Sequence, residues 1–443
     1  MSEEYIGIMT GNSLDAADAV LTRFDGDKMT DVAAVTVPYP KFLTEGILSF
    51  RKKVAERNGA VGDLVTHLSF LSLVTSYTRL LTRTVEELLQ QAGRRPEDII
   101  AVGLHGQTCA HCPPSVAAKD DLPYTLQIAH PKLLARLTRI PVVYDFRSDD
   151  VFNGGEGAPF APEHNRHTAV SCGFTTPSVF CNAGNTGNVA FTGVDGFAGG
   201  FDCGPFNHFT DLLMRTRKGL LCDKDGKTGL TGRVRPEIMD AFWERSCRTA
   251  DGRNFYELPP PKSNDPQWYR LPDGLDAFAF EDIVRTTAYL GAYGIFYALT
   301  FLPETAPLPE NFVLFGGGWK NPVARRGLED LISGEGPVLP RHRERFAALR
   351  KRLSPAARII TTRDYDLRPE YTEARIFADA ARCFVRGEPF TFPQTTGCFS
   401  PTVCGVYCLP DDKTYKITAL TEKTPVARPL LYSRAAKLTA LPV

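Results

Sequence analysis

Residues 5–37 read YIGIMTGNSLDAADAVLTRFDGDKMTDVAAVTV. Three apolar runs inside them, 5–9, 19–24 and 32–37, predict three strands in succession, and Asp25-Gly26-Asp27 supplies the chemistry of a tight hairpin between the second and third. The second half of the chain repeats that grammar. An apolar run at 179–182 meets a Gly-bearing turn at 183–187, a second run follows at 189–192, and Gly200-Phe201-Asp202 leads into a helix from about Asn207. Two hairpin-plus-helix units predict two related domains. Between them, Leu64, Leu68, Leu71, Val74, Tyr77, Leu81, Val85 and Leu88 recur at steps of three and four, which predicts one long or broken core helix over 61–91. Short apolar runs at 99–104, 124–128 and 141–146, with a helix at 131–139, make the class mixed α/β. Later come a helix at 282–301, a strand at 312–315 running into three glycines, a strand at 358–361 and a helix at 371–386. The Pro-rich stretch 258–273 reads as an ordered loop, and 409–443 as a polar tail.

With 443 residues, 43% of them hydrophobic, the chain exceeds what one core usually organises. The expected division places 1–140 plus about 370–443 in domain I, and 141–369 in domain II. Fifty-one basic side chains balance 51 acidic ones, so charge gives no case for nucleic acid or an anionic membrane as partner; small molecules are the expected ligands. The first twenty residues lack the basic start and apolar core of a signal peptide, and no run approaches the roughly 18–20 apolar residues of a membrane span, so the expected location is the cytoplasm. Eleven scattered cysteines read as reduced thiols. His105, Cys109, His111 and Cys112 lie close in sequence, but no second Cys/His pair follows at ligand spacing, which argues against structural zinc there.

Three polar, glycine-bearing turns directly follow apolar strands: Met9 to Asp15, Asn182 to Asn188, and Gly316-Gly317-Gly318-Trp319. Glycine lets a backbone approach a phosphate closely, and successive N–H groups in such turns make anion-binding concavities. None has the Gly-Lys-Ser/Thr ending of a P-loop or the Gly-x-Gly-x-x-Gly dinucleotide fingerprint, so a nucleotide here lies between two hairpins rather than on one helix. Acids recur at strand ends: Asp15, Asp18, Asp145, Asp149, Asp150, Asp202 and Glu373. Phosphoryl transfer needs carboxylates to hold Mg²⁺ and a base to activate the attacking group. Each of these acids, taken alone, is equally a helix or turn cap.

Taken in order, the motifs resemble a known family. MTGNSLD at 9–15, LHGQT at 104–108, TLQI at 125–128, DFR at 145–147, GGEGAP at 154–159, GFDCGP at 200–205, GGG at 316–318 and Glu373 follow the sequence of motifs of the anhydro-N-acetylmuramic acid kinases, a family that also includes kinases for levoglucosan. The resemblance runs from about residue 5 to 405. It implies an α/β, two-domain actin/hexokinase-like (ribonuclease H-like) sugar kinase fold, with ATP and an anhydro sugar in a deep interdomain cleft. It implies that Asp202 is the catalytic base and, with Glu373, a ligand of Mg²⁺. Gly11, Asn12, Ser13 and Asp15 would form the first phosphate turn, Gly184, Asn185 and Gly204 the second, and Gly316, Gly317 and Gly318 the nucleoside border. His105, Gln107, Thr108, Arg147, Asp149, Glu156 and Gly157 would line the sugar side. A homodimer is expected by family analogy only.

The sequence also departs from the pattern. Asn12 stands for a Thr and Asn185 for a Gly, and Pro261-Lys262-Ser263 is followed by Asn264-Asp265 rather than Thr-Gly. Ser148-Asp149 replaces two arginines after Arg147, and Glu156 replaces a Gln. Lost cations and an added carboxylate favour a neutral, levoglucosan-like sugar over an acidic muramic acid derivative. Two other readings share the fold: a weakened relative that binds sugar or nucleotide in an accessory role, and a kinase for an ordinary sugar hydroxyl.

Overall fold

The computed structural model describes residues 2–57, 59–117, 122–193, 199–249, 251–260, 262, 264 and 266–411, so the expected tail lies outside the described residues from 412 onward. The chain divides into two compact units, 1–171 with 366–443, and 172–365. The crossings fall at 171/172 and 365/366, whereas the sequence points to 140/141 and 369/370. The difference lies in residues 142–171, which form a strand and two helices on the first unit's own sheet and core.

In the first unit β1 (Glu3–Thr10), β2 (Ala16–Asp25) and β3 (Lys28–Pro38) form the expected antiparallel meander. The helix Lys41–Glu56, unheralded in the sequence, follows it. The long helical pattern is broken: Gly62–Thr66 and Leu68–Ala92 are separate helices because His67 is extended and its imidazole caps Ser69 N. Then come β4 (Ala101–Leu104), which runs parallel to β1, a separate hairpin of β5 (Gln107–Cys112) with β6 (Tyr124–Ile128), the helix Pro131–Thr138, and β7 (Val142–Tyr144), parallel to β4. The expected strand 141–146 stops early. Asp145 has left-handed backbone (φ 58°) and starts the helix Phe146–Phe152.

The second unit repeats the plan. β8 (Ser178–Ala183), β9 (Thr186–Thr192) and β10 (Gly199–Pro205) are an antiparallel meander; β11 (Asn311–Phe315) runs parallel to β8, and β12 (Arg358–Thr361) parallel to β11. Its core is largely aromatic, with Trp243, Phe255, Tyr293, Phe296 and Phe312 fully buried around the helix Phe280–Ala298. In the 258–273 stretch Tyr269 bridges to Cys247, so that loop is ordered at this point.

A last strand, β13 (Val406–Cys408), returns to the first unit and pairs antiparallel with β7. The two sheets therefore run β13-β7-β4-β1-β2-β3 and β10-β9-β8-β11-β12. Read as a meander plus two parallel strands, both have the order 3-2-1-4-5, the duplicated ribonuclease H-like topology. In the first unit the helix Thr372–Arg386 crosses β1, β2 and β4 at very short range. A Cβ on Gly7 would lie 1.9 Å from Ala374 O, and one on Gly103 1.9 Å from Phe377 O. These two glycines set how deep that helix sits, and Glu373 is in its first turn. Among the described residues no helix is long and apolar enough to cross a membrane.

Candidate active site

The first unit gathers one group of the expected site residues at the ends of β1, β4 and β7. Gly11, Asn12 and Ser13 form the turn between β1 and β2, with Asn12, Ser13 and Asp15 exposed. Ser13 Oγ donates to Asp15 Oδ1 (2.5 Å), and Ala16 N to the same oxygen (3.1 Å), so Asp15 stiffens the turn. From below, Gln107 Nε2 donates to Gly11 O (3.1 Å) while its Oε1 accepts from Tyr39 OH (3.0 Å). Gln107 is fully buried and both ends of its amide are used inside the protein. It therefore braces the turn between β1 and β2 from within the protein. Thr108 O accepts from Arg51 Nε (2.9 Å) and Nη2 (2.6 Å), and Arg51 Nη2 also reaches Asn12 Oδ1 (3.0 Å). The amide at position 12 thus has a partner of its own. Arg51 carries no local sequence signal that would have singled it out.

Arg147 is the centre of the group that the resemblance assigns to the sugar side. Its Nε donates to His105 Nε2 (3.0 Å) and its Nη1 to Gly157 O (2.7 Å), with the guanidinium carbon 5.6 Å from the Phe160 ring centroid. Burial pulls the Arg147 pKa down to about 10, opposed by Asp150 and Glu373. His105 is held neutral well below its ordinary range, first by burial and then by Arg147, consistent with an Nε2 lone pair that accepts. Gly157 has φ 67° and no room for a Cβ, which would lie 2.8 Å from Val151 Cγ2. The nearby carboxylates serve the scaffold. Asp150 accepts from Gly157 N (2.7 Å) and Thr396 Oγ1 (2.6 Å), Asp149 from Gly405 N (2.9 Å), and Glu156 from Ser115 N (3.2 Å) and Ser115 Oγ (2.5 Å).

Glu373 belongs to an acidic row with Asp18 and Asp15. Its carboxyl is pushed up, first by the protein crowding it and then by Asp18, with Arg147 opposing. Glu373 keeps open contact with solvent, so crowding contributes less than it would in a sealed site. Asp18 is pushed up by burial and by Asp15, against a hydrogen bond from Thr36 Oγ1 (2.6 Å). These carboxylates offer only oxygen donors, the type a hard dication such as Mg²⁺ takes.

In the second unit the turn Gly184-Asn185, the residue Asp202 and the three glycines are neighbours. Phe206 N and His208 N donate to Asn185 O (3.0 and 3.4 Å) and Asn207 N to Gly184 O (3.1 Å), tying the turn to the start of the helix His208–Lys218. Neither residue has positive φ, so asparagine at 185 carries no backbone strain; its Oδ1 lies 3.1 Å from His208 Nδ1. Asp202 sits at a β-bulge, where the β10/β9 register shifts between Asp202 and Gly204. Bulges bend a strand and re-aim a side chain. The Asp202 backbone N donates to Lys262 O (3.2 Å), and its carboxylate Oδ2 accepts from Asn264 N (2.8 Å). Because the second contact uses backbone, the departure at position 264 leaves it available.

Glycines of the three turns sort by what demands them. A Cβ on Gly204 would lie 2.5 Å from Tyr256 Cε1, on Gly316 2.6 Å from Asn182 Oδ1, and on Gly318 2.6 Å from Asn207 Oδ1, so close packing requires all three. A Cβ on Gly317 would meet nothing within 4 Å, and one on Gly184 nothing nearer than 3.4 Å. Packing within the protein therefore leaves those two positions open.

Lys262 anchors the loop that clamps Asp202. Its Nζ donates to Phe255 O (3.1 Å) and Tyr256 O (2.9 Å) and lies 4.7 Å from the Phe301, 4.9 Å from the Phe255 and 5.7 Å from the Phe201 ring centroids. Burial lowers its pKa to about 8. The folded protein then releases this proton before the unfolded chain does, so from about pH 8 to 10.5 this group makes stability rise with pH. We expect Lys262→Met to remove that component, seen as a smaller gain in unfolding midpoint between neutral and alkaline buffer, and to lower kcat roughly tenfold or more by loosening the Asp202 clamp.

A doubled 3-2-1-4-5 sheet, with a polar turn between the first two strands of each unit, is the actin- and hexokinase-like fold. The family profile of anhydro-N-acetylmuramic acid kinase matches residues 3–339. Anhydro-N-acetylmuramic acid kinases of Neisseria meningitidis serogroup C and Cupriavidus pinatubonensis are 31% and 32% identical over 407 and 412 residues, covering 90% and 91% of this chain and 97% of each relative. Among solved structures, a ROK hexokinase from Thermus thermophilus is similar over 79% of this chain and 97% of its own, at 14% identity and a TM-score of 0.30. The chain belongs to the anhydro-N-acetylmuramic acid kinase family. It is an ATP-dependent sugar kinase, a phosphotransferase with an alcohol acceptor.

Proposed function

We propose that this kinase opens a 1,6-anhydro sugar with water and transfers the γ-phosphoryl group of ATP to the freed O6. The observation that carries the reading is Asp202, which borders a β-bulge in β10 and is fixed by backbone on both its amide and its carboxylate. Asp202 takes a proton from water as the water oxygen bonds to C1; the C1–O6 bond breaks; O6 attacks the γ-phosphorus, and the bond to the β-phosphate oxygen breaks. The products are a sugar 6-phosphate and ADP. A positioned carboxylate base is worth about 10²–10⁴ in rate. The turns at Gly11 to Ser13 and at Gly184-Asn185 bind phosphate through backbone N–H groups, and the exposed Gly317 borders the nucleoside. On the first unit Glu373 and Asp18 would hold Mg²⁺, which when bound would neutralise charge on the transferred group. Arg147, fixed by His105 and Gly157, orients the sugar.

The balance of charge beside Arg147 favours a neutral sugar, since Asp149 and Glu156 replace an arginine and a glutamine of the family pattern. A coupled ATP-consumption assay over levoglucosan, 1,6-anhydro-N-acetylmuramic acid and simple hexoses tests both parts. We expect turnover on the anhydro sugars, a product one water heavier than a phosphorylated anhydro sugar, and kcat/KM at least about tenfold higher for the neutral one. Turnover on hexoses alone overturns the ring-opening reading; preference for the acidic sugar overturns the charge argument.

A further inference from the structure

The first unit carries a second cluster of metal-binding side chains, built from the helices Ala161–Ser171 and Thr372–Arg386, for which the kinase reaction has no use. We propose that His167, Asp379 and Cys383 form a binding site for a thiophilic divalent cation, zinc above all. One nitrogen, one oxygen and one sulfur from these residues lie within 4.8 Å of one another. Ligand atoms around a tetrahedral zinc stand roughly 3.3–3.8 Å apart, given metal–ligand bonds of about 2.0–2.3 Å, so small side-chain adjustments admit the ion. Asp379 and Cys383 are one turn apart on their helix, which places them on one face. Thiolate, imidazole and carboxylate together select zinc over magnesium or calcium.

Three further features support the site. His167 Nδ1 lies 2.8 Å from Asp379 Oδ2, while its Nε2 lies 3.2 Å from Glu163 Oε1. Glu163 is itself held by Arg166, with Nη2 2.6 Å and Nε 3.1 Å from Oε1. A carboxylate behind the far nitrogen of a ligating histidine is the usual support that fixes the ring and turns the near nitrogen to the metal. His164 steadies Asp379 in turn. Its Nε2 accepts from Arg375 Nε (3.3 Å), so its Nδ1 carries the proton and donates to Asp379 Oδ2 (2.9 Å). Asp379 Oδ1 is buried and accepts no hydrogen bond from the described residues, with Arg382 Nη1 3.9 Å away. A buried carboxylate oxygen left without a donor is an oxygen ligand in waiting.

Charge balances as well. Both ring nitrogens of His167 face carboxylate oxygens, which only accept, so both carry protons when no metal is bound. An entering dication displaces the proton at His167 Nδ1 and the proton at Cys383 Sγ, and the buried cluster keeps its net charge. The His167 side chain is 19% exposed, enough for water to reach a fourth coordination position.

The test titrates the metal-stripped full-length protein with cobalt(II) and then zinc. We expect one tightly bound cobalt per chain, a thiolate-to-cobalt charge-transfer band, and displacement by an equivalent of zinc. Cys383→Ser and His167→Gln abolish the band and weaken zinc binding at least about 100-fold, whereas Glu163→Gln keeps the band and weakens binding about 10–100-fold. Cys222→Ser, at the exposed cysteine, leaves both unchanged. Circular dichroism checks that each variant folds, and if Cys383→Ser does not, His167→Gln and Glu163→Gln carry the test. Absence of the band in the wild-type protein, or a band that survives His167→Gln, overturns the proposal and leaves the cluster a hydrogen-bonded ion network only.

Discussion

Replacing Asp202 with asparagine should lower kcat on an anhydro sugar by about 10²–10⁴, while KM for ATP changes less than about threefold and the unfolding midpoint stays near that of the wild type. The amide keeps the size of the carboxylate and still accepts from Asn264 N, so the loop remains docked. The main-chain bond from Asp202 N to Lys262 O is untouched by the substitution. What disappears is the group that takes a proton from water. Steady-state kinetics with nucleotide binding measured separately distinguish this from a folding defect. A variant with full turnover rules out Asp202 as the base; one that has lost nucleotide binding in proportion assigns the residue to binding instead.

The largest stability effect should come from a residue far from any chemistry. In Gly7→Ala the new methyl group would lie 1.9 Å from Ala374 O and 2.6 Å from Ala378 N, both backbone atoms of the helix Thr372–Arg386. A flexible side chain can swing aside; a helix backbone must move as a body. Overpacking typically costs about 1–3 kcal/mol, and a collision with backbone on a central strand belongs at or above the top of that range. We expect Gly7→Ala to lose about 3 kcal/mol or more in urea unfolding, with Gly103→Ala close behind because its methyl meets Phe377 O at 1.9 Å. Displacing the helix also moves Glu373, so the magnesium concentration for half-maximal activity should rise. Gly62→Ala is the control: its Cβ meets nothing within 4 Å, and it should change stability by less than about 0.5 kcal/mol.

The first meander and the hairpin of β8 with β9 were legible in the sequence because apolar runs and turns such as Asp25-Gly26-Asp27 encode them locally, whereas β10, rich in glycine, did not read as a strand. A broken helix was one of the two readings of 61–91, but the place of the break at His67 was not legible, since leucines continue at helical spacing on both sides and only the extended backbone at that one residue separates them. Position 145 shows the same limit. An apolar run into Asp-Phe-Arg reads as strand, yet the chain turns into a helix through a left-handed aspartate. Motifs singled out candidate site residues, but motif membership says nothing about which side of the backbone a group serves. Gln107 is the clearest case, a motif residue whose amide is spent on Gly11 and Tyr39. Arg51 and the His167 cluster were hidden for another reason: their partners lie 57 and 212 residues away, and no local pattern reports such meetings.

The division of the chain also has a consequence in time. The second unit is one continuous segment, 172–365, set inside a first unit whose remaining part begins at 366. During synthesis at about 5–20 residues per second, the strands β1 and β4 leave the ribosome long before the helix that covers Gly7 and Gly103, a delay of roughly 15–60 s. For that interval a sheet face shaped to fit one particular helix stands open, while the inserted unit has all its strands and folds as a body. The newly made amino-terminal third is therefore the part of the molecule that a chaperone would hold.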